Sequence, residues 1–240
     1  MLLSLVIPVF NEESCLESSL DQVHRYLETK IPFDWELIVA DNGSTDESPQ
    51  IASRFSEAHP AARVLRLASK GRGRALRQAW SNSRADIFSY MDADLSSDLN
   101  TFPDLLDPLV SADYDFAVGS RVLRPGLTTR CFKREFTSRC YNVLIKLFFR
   151  PTFSDAQCGF KAITRESALN ILPHVLDNGW FFDTELLLLA EKAGYRIFDL
   201  PVRWVERKES HVQVFRTAVD DVKGLIRLKR RMKDFQVRAP

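Results

Sequence analysis

The sequence predicts an α/β fold in which a mostly parallel sheet carries helices on both faces. Short apolar runs of strand length alternate with longer amphipathic runs, and polar turn residues separate them. The 240 residues are 45% hydrophobic and 27% charged, which is typical of a globular domain and unlike a disordered chain. No apolar stretch approaches about 20 residues, so no transmembrane helix is predicted.

Strands and helices alternate regularly over the first half of the chain. Apolar runs predict five strands, at residues 2–8, 35–40, 63–67, 87–91 and 116–119. Four helices are predicted between them: two from the spacing of their apolar residues (13–30 and 102–111), one after the loop at residue 71 (within 71–83), and one starting at a capping box. That box is Ser44-Thr-Asp-Glu47, in which serine and glutamate would satisfy the free amides of a first helical turn.

The pattern becomes less regular after residue 119. Residues 121–134 are basic and predict a loop, and an extended segment is expected at 195–206. Residues 153–164 predict a loop that leads into a strand. Helices are predicted at 135–149, 165–172, 183–193 and 212–235, and Gly194 would end the third of them.

Charge is strongly segregated along the chain although the net charge is only +1. Residues 1–120 carry 10 Lys and Arg against 19 Asp and Glu, whereas residues 121–165 carry 10 against 2. This predicts two ligand regions of different character, with solvated charged faces as the alternative for any single run. No nucleic-acid motif accompanies the basic runs, so nucleic acid is not a predicted partner.

The four cysteines lack a CxxC pair, which fits a reduced cytosolic protein without a zinc site.

Polar side chains follow every strand predicted in the first half. In an open parallel sheet, ligands bind at the carboxyl ends of the strands. These positions hold Asn11 and Glu12, then Asp41-Asn-Gly-Ser44, Lys70-Gly-Arg-Gly-Arg74, Asp92-Ala-Asp94 and Ser120-Arg121. We therefore predict the functional site at this edge of the sheet.

Asp92 and Asp94 are the predicted metal ligands, because two carboxylates one residue apart can share Mg²⁺ or Mn²⁺ with phosphate oxygens. The chain's other Asp-x-Asp, Asp113–Asp115, precedes a strand and is interpreted as surface charge. The run from Gly71 to Arg74 is neither a Rossmann fingerprint nor a P-loop. It is either a basic flexible loop near a diphosphate or a plain helix entry.

Taken in order, these motifs resemble those of family 2 glycosyltransferases. They are Pro8-Val-Phe-Asn-Glu-Glu13, Val39-Ala-Asp-Asn-Gly-Ser-Thr-Asp46, Lys70-Gly-Arg-Gly-Arg-Ala-Leu-Arg77, Asp92-Ala-Asp-Leu-Ser96 and Gly119-Ser-Arg121. The downstream runs are similar to dolichyl- or polyprenyl-phosphate hexose synthases, namely Arg134-x-x-x-Ser138-Arg139-x-x-Asn142, Ser154-Asp-Ala-Gln-Cys-Gly-Phe-Lys161 and Phe182-Asp-Thr-Glu185.

The resemblance implies a single GT-A domain over residues 1–240 and an inverting, metal-dependent transfer. A hexose, mannose or glucose, would pass from GDP-mannose or UDP-glucose to a polyprenyl or dolichyl phosphate. Residues 1–120 would form the nucleotide-sugar half and residues 121–215 the acceptor half, followed by a basic C-terminal helix at 216–240.

The same resemblance implies roles for individual residues. Asp94, Asp155 and Arg121 would be catalytic, with Asp155 near the sugar or acceptor. The nucleotide sugar would contact Pro8, Phe10, Glu12, Asp41, Lys70, Arg74 and Asp92. The metal would be held by Asp92 and Asp94, with Ser96 where some relatives place a glutamine ligand. Arg121, Arg134 and Ser138 would bind the acceptor phosphate or the diphosphate. Arg207 is a hypothesis as a phosphate ligand, because its motif is degraded to Arg207-Lys-Glu-Ser-His211. Asn42 replaces the second aspartate usual after strand two.

The chemistry agrees with this interpretation. A phosphate monoester, with a second pKa near ~6, is largely dianionic at neutral pH and needs no general base, while arginines can orient it for attack. Two alternatives stay open. One is a saccharide hydroxyl acceptor, for which Asp155 would be the base, and the other is a non-catalytic nucleotide-sugar-binding protein.

Two segments could lie on an anionic membrane surface. Residues 141–149 are apolar with one lysine, and residues 222–233 interleave apolar and basic side chains. The alternative is one core-packing helix and one solvated terminal helix. We expect a cytoplasmic protein, peripheral on the membrane face, attached directly or through a membrane-protein partner.

Overall fold

The chain is seen in a computed structural model that describes residues 1–129, 132–205 and 214–239, with side chains except at 125, 129, 132–137 and 214–218. The strands are β1 Leu2–Val9, β2 Asp34–Asp41, β3 Ala62–Arg66, β4 Ile87–Met91, β5 Phe116–Ser120, β6 Thr128–Thr129, β7 Phe160–Thr164, β8 Ile197–Pro201 and β9 Trp204–Val205. The helices are α1 Leu16–Lys30, α2 Ser48–Ala58, α3 Arg72–Ser81, α4 Phe102–Val110, α5 Phe132–Phe149, α6 Arg165–Ile171, α7 Phe182–Ala193 and α8 Val214–Arg231.

Seven strands form one sheet in the order β3-β2-β1-β4-β7-β5-β8, and β6 pairs with β9 in a second, two-stranded sheet. Only β7 runs antiparallel to its neighbours in the large sheet. The predicted α/β class with a mostly parallel sheet is therefore confirmed.

Helices cover both faces of the large sheet, as predicted. On β1, Leu5 and Ile7 face the core that α1, α2 and α4 close, while Val6 faces the core beneath α3, α6, α7 and α8. This alternation has the two-residue period of a strand, and burial on both sides explains why β1 reads as a continuous apolar run.

The predicted capping box is wrong. Helix α2 begins at Ser48, and Ser44 lies in the preceding loop. The hydroxyl oxygen of Ser44 accepts the Asn11 N–H at 3.0 Å, and its own N–H donates to Asp41 Oδ1 at 3.0 Å. Ser44 thus links the loops after β1 and β2. It does not cap a helix, because its hydrogen bonds to Asn11 and Asp41 compete with a local helical turn.

The carboxyl ends of β1, β2, β4 and β5 meet at one edge of the sheet, and β7 starts there because Met91 pairs with Phe160. The antiparallel β7 therefore brings the loop before it, residues 150–159, to the predicted site. At the opposite edge, Asp115 accepts from the backbone N–H of Arg196 at 2.8 Å.

Among the helices described, none combines the length and apolar character needed to cross a lipid bilayer.

Candidate active site at the carboxyl ends of the strands

Asp92 and Asp94 stand directly after β4, and different neighbours contact each of them. The Asp92 N–H donates to the carbonyl of Gly159 at 3.1 Å. A Cβ added to Gly159 would overlap the Asp92 carboxylate, so a larger residue at position 159 would displace that carboxylate. Asp94 accepts from the N–H of Ser96 at 3.0 Å and from the Ser96 hydroxyl.

Arg72 is the counter-ion of Asp92. Its Nη1 lies 2.6 Å from Asp92 Oδ1, and its Nε lies 3.5 Å from Asp183 Oδ2. The guanidinium also stands over the rings of Tyr90 and Trp180, about 5 Å from each centroid. Burial alone would lower the pKa of Arg72, but the adjacent Asp92 outweighs it and raises that pKa. Arg72 therefore remains a fixed cation beside the paired carboxylates.

A buried polar network of Lys161, Tyr90 and Asp183 lies next to the Arg72–Asp92 ion pair. Lys161 donates to the Asp183 carboxylate at 3.1 Å, to the Tyr90 hydroxyl oxygen at 2.9 Å and to the Cys158 carbonyl at 2.6 Å. The Tyr90 hydroxyl in turn donates to Asp183. Burial raises the pKa of Tyr90 well above its ordinary value, so the phenol stays a neutral donor. Each charge of the network has an opposite partner, as buried ions require.

Arg121 forms a two-pronged ion pair with Asp155. Arg121 Nε and Nη2 donate to Asp155 Oδ2 and Oδ1 at 2.6 and 2.8 Å, and the N–H groups of Arg121 and Gln157 add bonds of 3.2 and 3.1 Å. The Asp155 side chain is 0% exposed. Burial would lower the pKa of Arg121, but the ion pair with Asp155 raises it. The fork geometry fixes the orientation of the guanidinium.

Phe10 and Lys70, both predicted to contact the nucleotide, meet in the structure. The Lys70 ammonium lies 3.6 Å from the centroid of the Phe10 ring, a cation–π contact. Partial burial lowers the pKa of Lys70. Nearby, Pro8 pairs with Ala40 across β1 and β2, which places it beside the end of β2.

Three further predicted residues are engaged by their own loops. Asp41 is buried, and its Oδ1 receives the Ser44 N–H. The backbone of Glu12 starts α1 by accepting the Leu16 N–H at 2.9 Å. Arg74 folds onto the loop before α3 and donates to the Ser69 carbonyl at 3.0 Å.

The two glycines at the start of α3 are required by packing. A Cβ on Gly73 would lie 2.5 Å from the Cβ of Phe182, and one on Gly71 would lie 2.6 Å from the Asn178 carbonyl oxygen. The glycines thus form a helix entry seated against α7, while Arg72 between them carries the cationic character of the run.

We expect Gly73→Ala to lower the free energy of unfolding by about 1–3 kcal/mol, because the new methyl group overpacks a fully buried ring. Thermal denaturation measures the loss. Gly126→Ala is the matched control, since a Cβ there meets nothing within 4 Å. Equal melting temperatures for both variants would contradict the close packing of α3 on α7.

Some predicted residues cannot be placed at the site. Ser138 lies on α5, and its buried hydroxyl has no hydrogen-bond partner among the described residues. The side chain of Arg134, as well as Arg207 and His211, lie outside the described residues.

The sequence reasoning missed Arg72, Tyr90, Lys161 and Asp183 as members of the site. Arg72 lies between Gly71 and Gly73, and Lys161 and Asp183 lie in the downstream motifs, but neither residue spacing nor the family resemblance assigns these three a role. Within the part of the chain that the structure describes, no three or more His, Cys, Asp or Glu side chains gather as a metal cluster.

The chain is similar in sequence to known glycosyltransferases. The chain is 38% identical to glycosyltransferase AglD of Haloferax volcanii over 215 residues, which are 89% of this chain and 34% of that protein. It is 34% identical to the dolichyl-phosphate beta-glucosyltransferase of Drosophila melanogaster over 231 residues, covering 89% of this chain and 70% of the relative. The chain thus spans about a third of AglD.

A solved structure shares the fold. It is glucosyl-3-phosphoglycerate synthase from Mycobacterium tuberculosis with Mn²⁺, UDP-glucose and phosphoglyceric acid, with a TM-score of 0.73 at 19% identity over 95% of this chain and 79% of that one. Residues 4–172 match the family described as glycosyl transferase family 2. The chain therefore belongs to the family 2 glycosyltransferases, as its motifs predicted, and has the GT-A fold.

Proposed function

We propose that the protein transfers a glucosyl group from UDP-glucose to a dolichyl or polyprenyl phosphate. The observation that carries this proposal is the pairing of two environments at one edge of the sheet: the carboxylates of Asp92 and Asp94, and the locked guanidinium of Arg121. Carboxylates suit a metal-bound diphosphate, and a fixed guanidinium suits a phosphate acceptor. The names of the relatives favour glucose and dolichyl phosphate.

Asp92 and Asp94 would hold a divalent cation. Their carboxylates suit a hard cation that takes its remaining ligands from diphosphate oxygens and water, so two protein ligands suffice. The solved neighbour with Mn²⁺ makes Mn²⁺ our first choice over Mg²⁺. When bound, the cation would neutralise the charge that develops on the departing diphosphate.

Arg72 would share the task of stabilising the diphosphate. Its Nη2 is buried and has no hydrogen-bond partner in the described residues, so the guanidinium retains donor capacity beyond its bond to Asp92. Its neighbours Tyr90 and Asp183 restrict its motion. A preorganised cation of this kind lowers the barrier where negative charge builds up. Lys70, held over the Phe10 ring, would contact the nucleotide.

Arg121 would orient the acceptor phosphate, and Asp155 would act as a positioning residue behind it. The phosphate is itself the nucleophile, so no side chain has to remove a proton. Asp155 is a poor choice for the base that a saccharide hydroxyl acceptor would need, since it is fully buried and already accepts four hydrogen bonds. Ser138, Arg134 and Arg207 remain proposed contacts of the same phosphate.

A direct assay tests the function. Purified protein is incubated with UDP-glucose or GDP-mannose, with Mn²⁺ or Mg²⁺, and with either a short polyprenyl phosphate or a free saccharide. We expect glucosylated polyprenyl phosphate from UDP-glucose. Transfer to the saccharide alone would reject the proposed acceptor, and donor binding without turnover on any acceptor would identify a binding protein.

We further propose peripheral attachment to the cytoplasmic side of an anionic membrane through adjacent faces of α5 and α8. Lys229 on α8 donates to the Phe148 carbonyl on α5 at 2.9 Å, so the helices lie side by side. Leu147 is 71% exposed and Ile226 42%. Basic and other apolar exposed side chains surround them, namely Lys146, Lys223, Arg230, Val143 and Val222. Apolar side chains ringed by cations suit anionic lipid.

We expect Leu147→Glu combined with Ile226→Glu to weaken binding to phosphatidylglycerol vesicles at least about tenfold, because each change removes a side chain whose burial contributes roughly 1.5–3 kcal/mol. Cosedimentation with protein-free vesicles measures the affinity. Leu169→Glu, at an exposed position on α6, is the control. If the wild-type protein does not bind these vesicles, attachment through a membrane-protein partner would be favoured instead.

A further inference from the structure

Asp221 is a buried acid on α8 for which the proposed reaction has no use so far. It is 3% exposed, and burial raises its pKa to about 7. Its Oδ2 accepts a hydrogen bond of 2.9 Å from Gln157 Nε2, while its Oδ1 is buried without a hydrogen-bond partner in the described residues. A half-satisfied buried carboxyl costs stability, so packing alone does not account for an aspartate here.

Gln157 connects this acid to the site. Its side chain reaches α8, and its backbone N–H donates to Asp155 Oδ1, the oxygen that also receives Arg121 Nη2. Two residues further on, the Gly159 carbonyl accepts the Asp92 N–H. One short loop therefore joins α8, the arginine fork and the metal-binding carboxylate.

Helix α8 is otherwise fixed at points farther along its length. Gly224 packs on the Phe181 ring, where a Cβ would lie 2.6 Å from the ring carbons. Arg231 donates to the buried Glu185 at 2.7 Å, and Arg227 reaches the same carboxylate at 3.4 Å. Among the described residues, the Asp221–Gln157 bond joins α8 to the loop that carries Asp155.

We propose that Asp221 is a positioning residue that, through Gln157, holds the Asp155–Arg121 pair in the orientation that receives the acceptor phosphate. The effect on acceptor binding rests on the proposed function. The hydrogen-bonded link from Asp221 through Gln157 to Asp155 does not depend on it. The position of α8, whose outer face carries the exposed Ile226 and Lys223, is thereby coupled to the acceptor side of the site.

The link is tested first without any activity measurement. Amide hydrogen exchange is followed at Arg121 and Gln157, whose N–H groups both donate to Asp155. We expect Asp221→Ala to speed exchange at both amides at least about tenfold, while Asp221→Asn, which keeps an acceptor for Gln157, restores protection. Asp220→Ala, the exposed neighbour on α8, is the matched control. Unchanged exchange in Asp221→Ala would overturn the link.

Kinetics then test the consequence. We expect Asp221→Ala and Gln157→Ala each to lower kcat/KM for the polyprenyl phosphate about tenfold, with KM for UDP-glucose unchanged, and the double variant to be no worse than either single one. Additive losses, or a loss shared equally by donor and acceptor, would overturn the positioning role. If Asp221→Ala does not fold, Gln157→Ala carries the same test from the other end of the bond. Wild-type protein without transfer activity would refute the proposed function, whereas the exchange result would still decide the link.

Discussion

Replacing Asp92 with asparagine is expected to lower the rate of glucosyl transfer by at least about 10³-fold, because the proposed metal ion would lower the barrier to departure of the diphosphate by several kcal/mol. The same change should weaken Mn²⁺ binding, which electron paramagnetic resonance of free Mn²⁺ measures independently of turnover. The amide keeps the shape of the side chain but removes the charge that attracts a hard cation.

Asp92 also balances a buried charge. With asparagine in its place, Asp183, at 3.5 Å, would be the one ionic partner left to Arg72 among the described residues, so we expect a lower melting temperature as well. Asp94→Asn separates the two effects, because Arg72 keeps its ion pairs with Asp92 and Asp183 in this variant. It should lose Mn²⁺ binding and transfer with a smaller loss of stability.

The chain supplies its own control for these variants. Asp113 belongs to the second Asp-x-Asp of the sequence and accepts a hydrogen bond from Ser111 at an exposed position. Asp113→Asn should leave Mn²⁺ binding and transfer unchanged. Tight Mn²⁺ binding by both Asp92→Asn and Asp94→Asn would contradict the proposed metal site.

The position of Asp92 and Asp94 at the carboxyl end of β4 could be predicted from the sequence because the relevant signal is local. A buried strand followed at once by two carboxylates needs no knowledge of distant residues, and the edge where parallel strands end follows from the α/β alternation. The order of the motifs then indicated the family. The second Asp-x-Asp could be set aside by the same logic, since it precedes its strand.

The partners of those residues could not be found in this way. Arg72 reaches Asp92 only because two glycines let α3 pack against α7, and Lys161 enters the network only because β7 inserts antiparallel between β4 and β5. The Arg121–Asp155 pair joins residues 34 positions apart. Such contacts depend on how the elements pack in the folded protein, which neither periodicity nor spacing encodes. The predicted capping box at Ser44 is wrong for the same reason, since Ser44 bonds to the distant Asn11.

Arg121→Lys is expected to lower transfer to polyprenyl phosphate by about 10²–10³-fold with little effect on KM for UDP-glucose. Lysine keeps the charge but cannot make the two parallel bonds to Asp155, so the cation is no longer fixed toward the acceptor. Steady-state kinetics with each substrate varied in turn measure the effect. Arg63→Lys, which alters an ion pair with Glu36 on neighbouring strands β2 and β3, is the matched control.

Asp155→Asn decides between the two acceptor chemistries. If Asp155 only positions Arg121, the variant should resemble Arg121→Lys, the double variant should be little worse than either single one, and the acidic side of the pH profile, set by the second ionisation of the acceptor phosphate, should be unchanged. A base that removes a proton from a hydroxyl would behave differently: Asp155→Asn alone would abolish transfer, and Arg121→Lys would retain most of it. That second pattern would transfer the catalytic role to Asp155 and make a saccharide hydroxyl the acceptor.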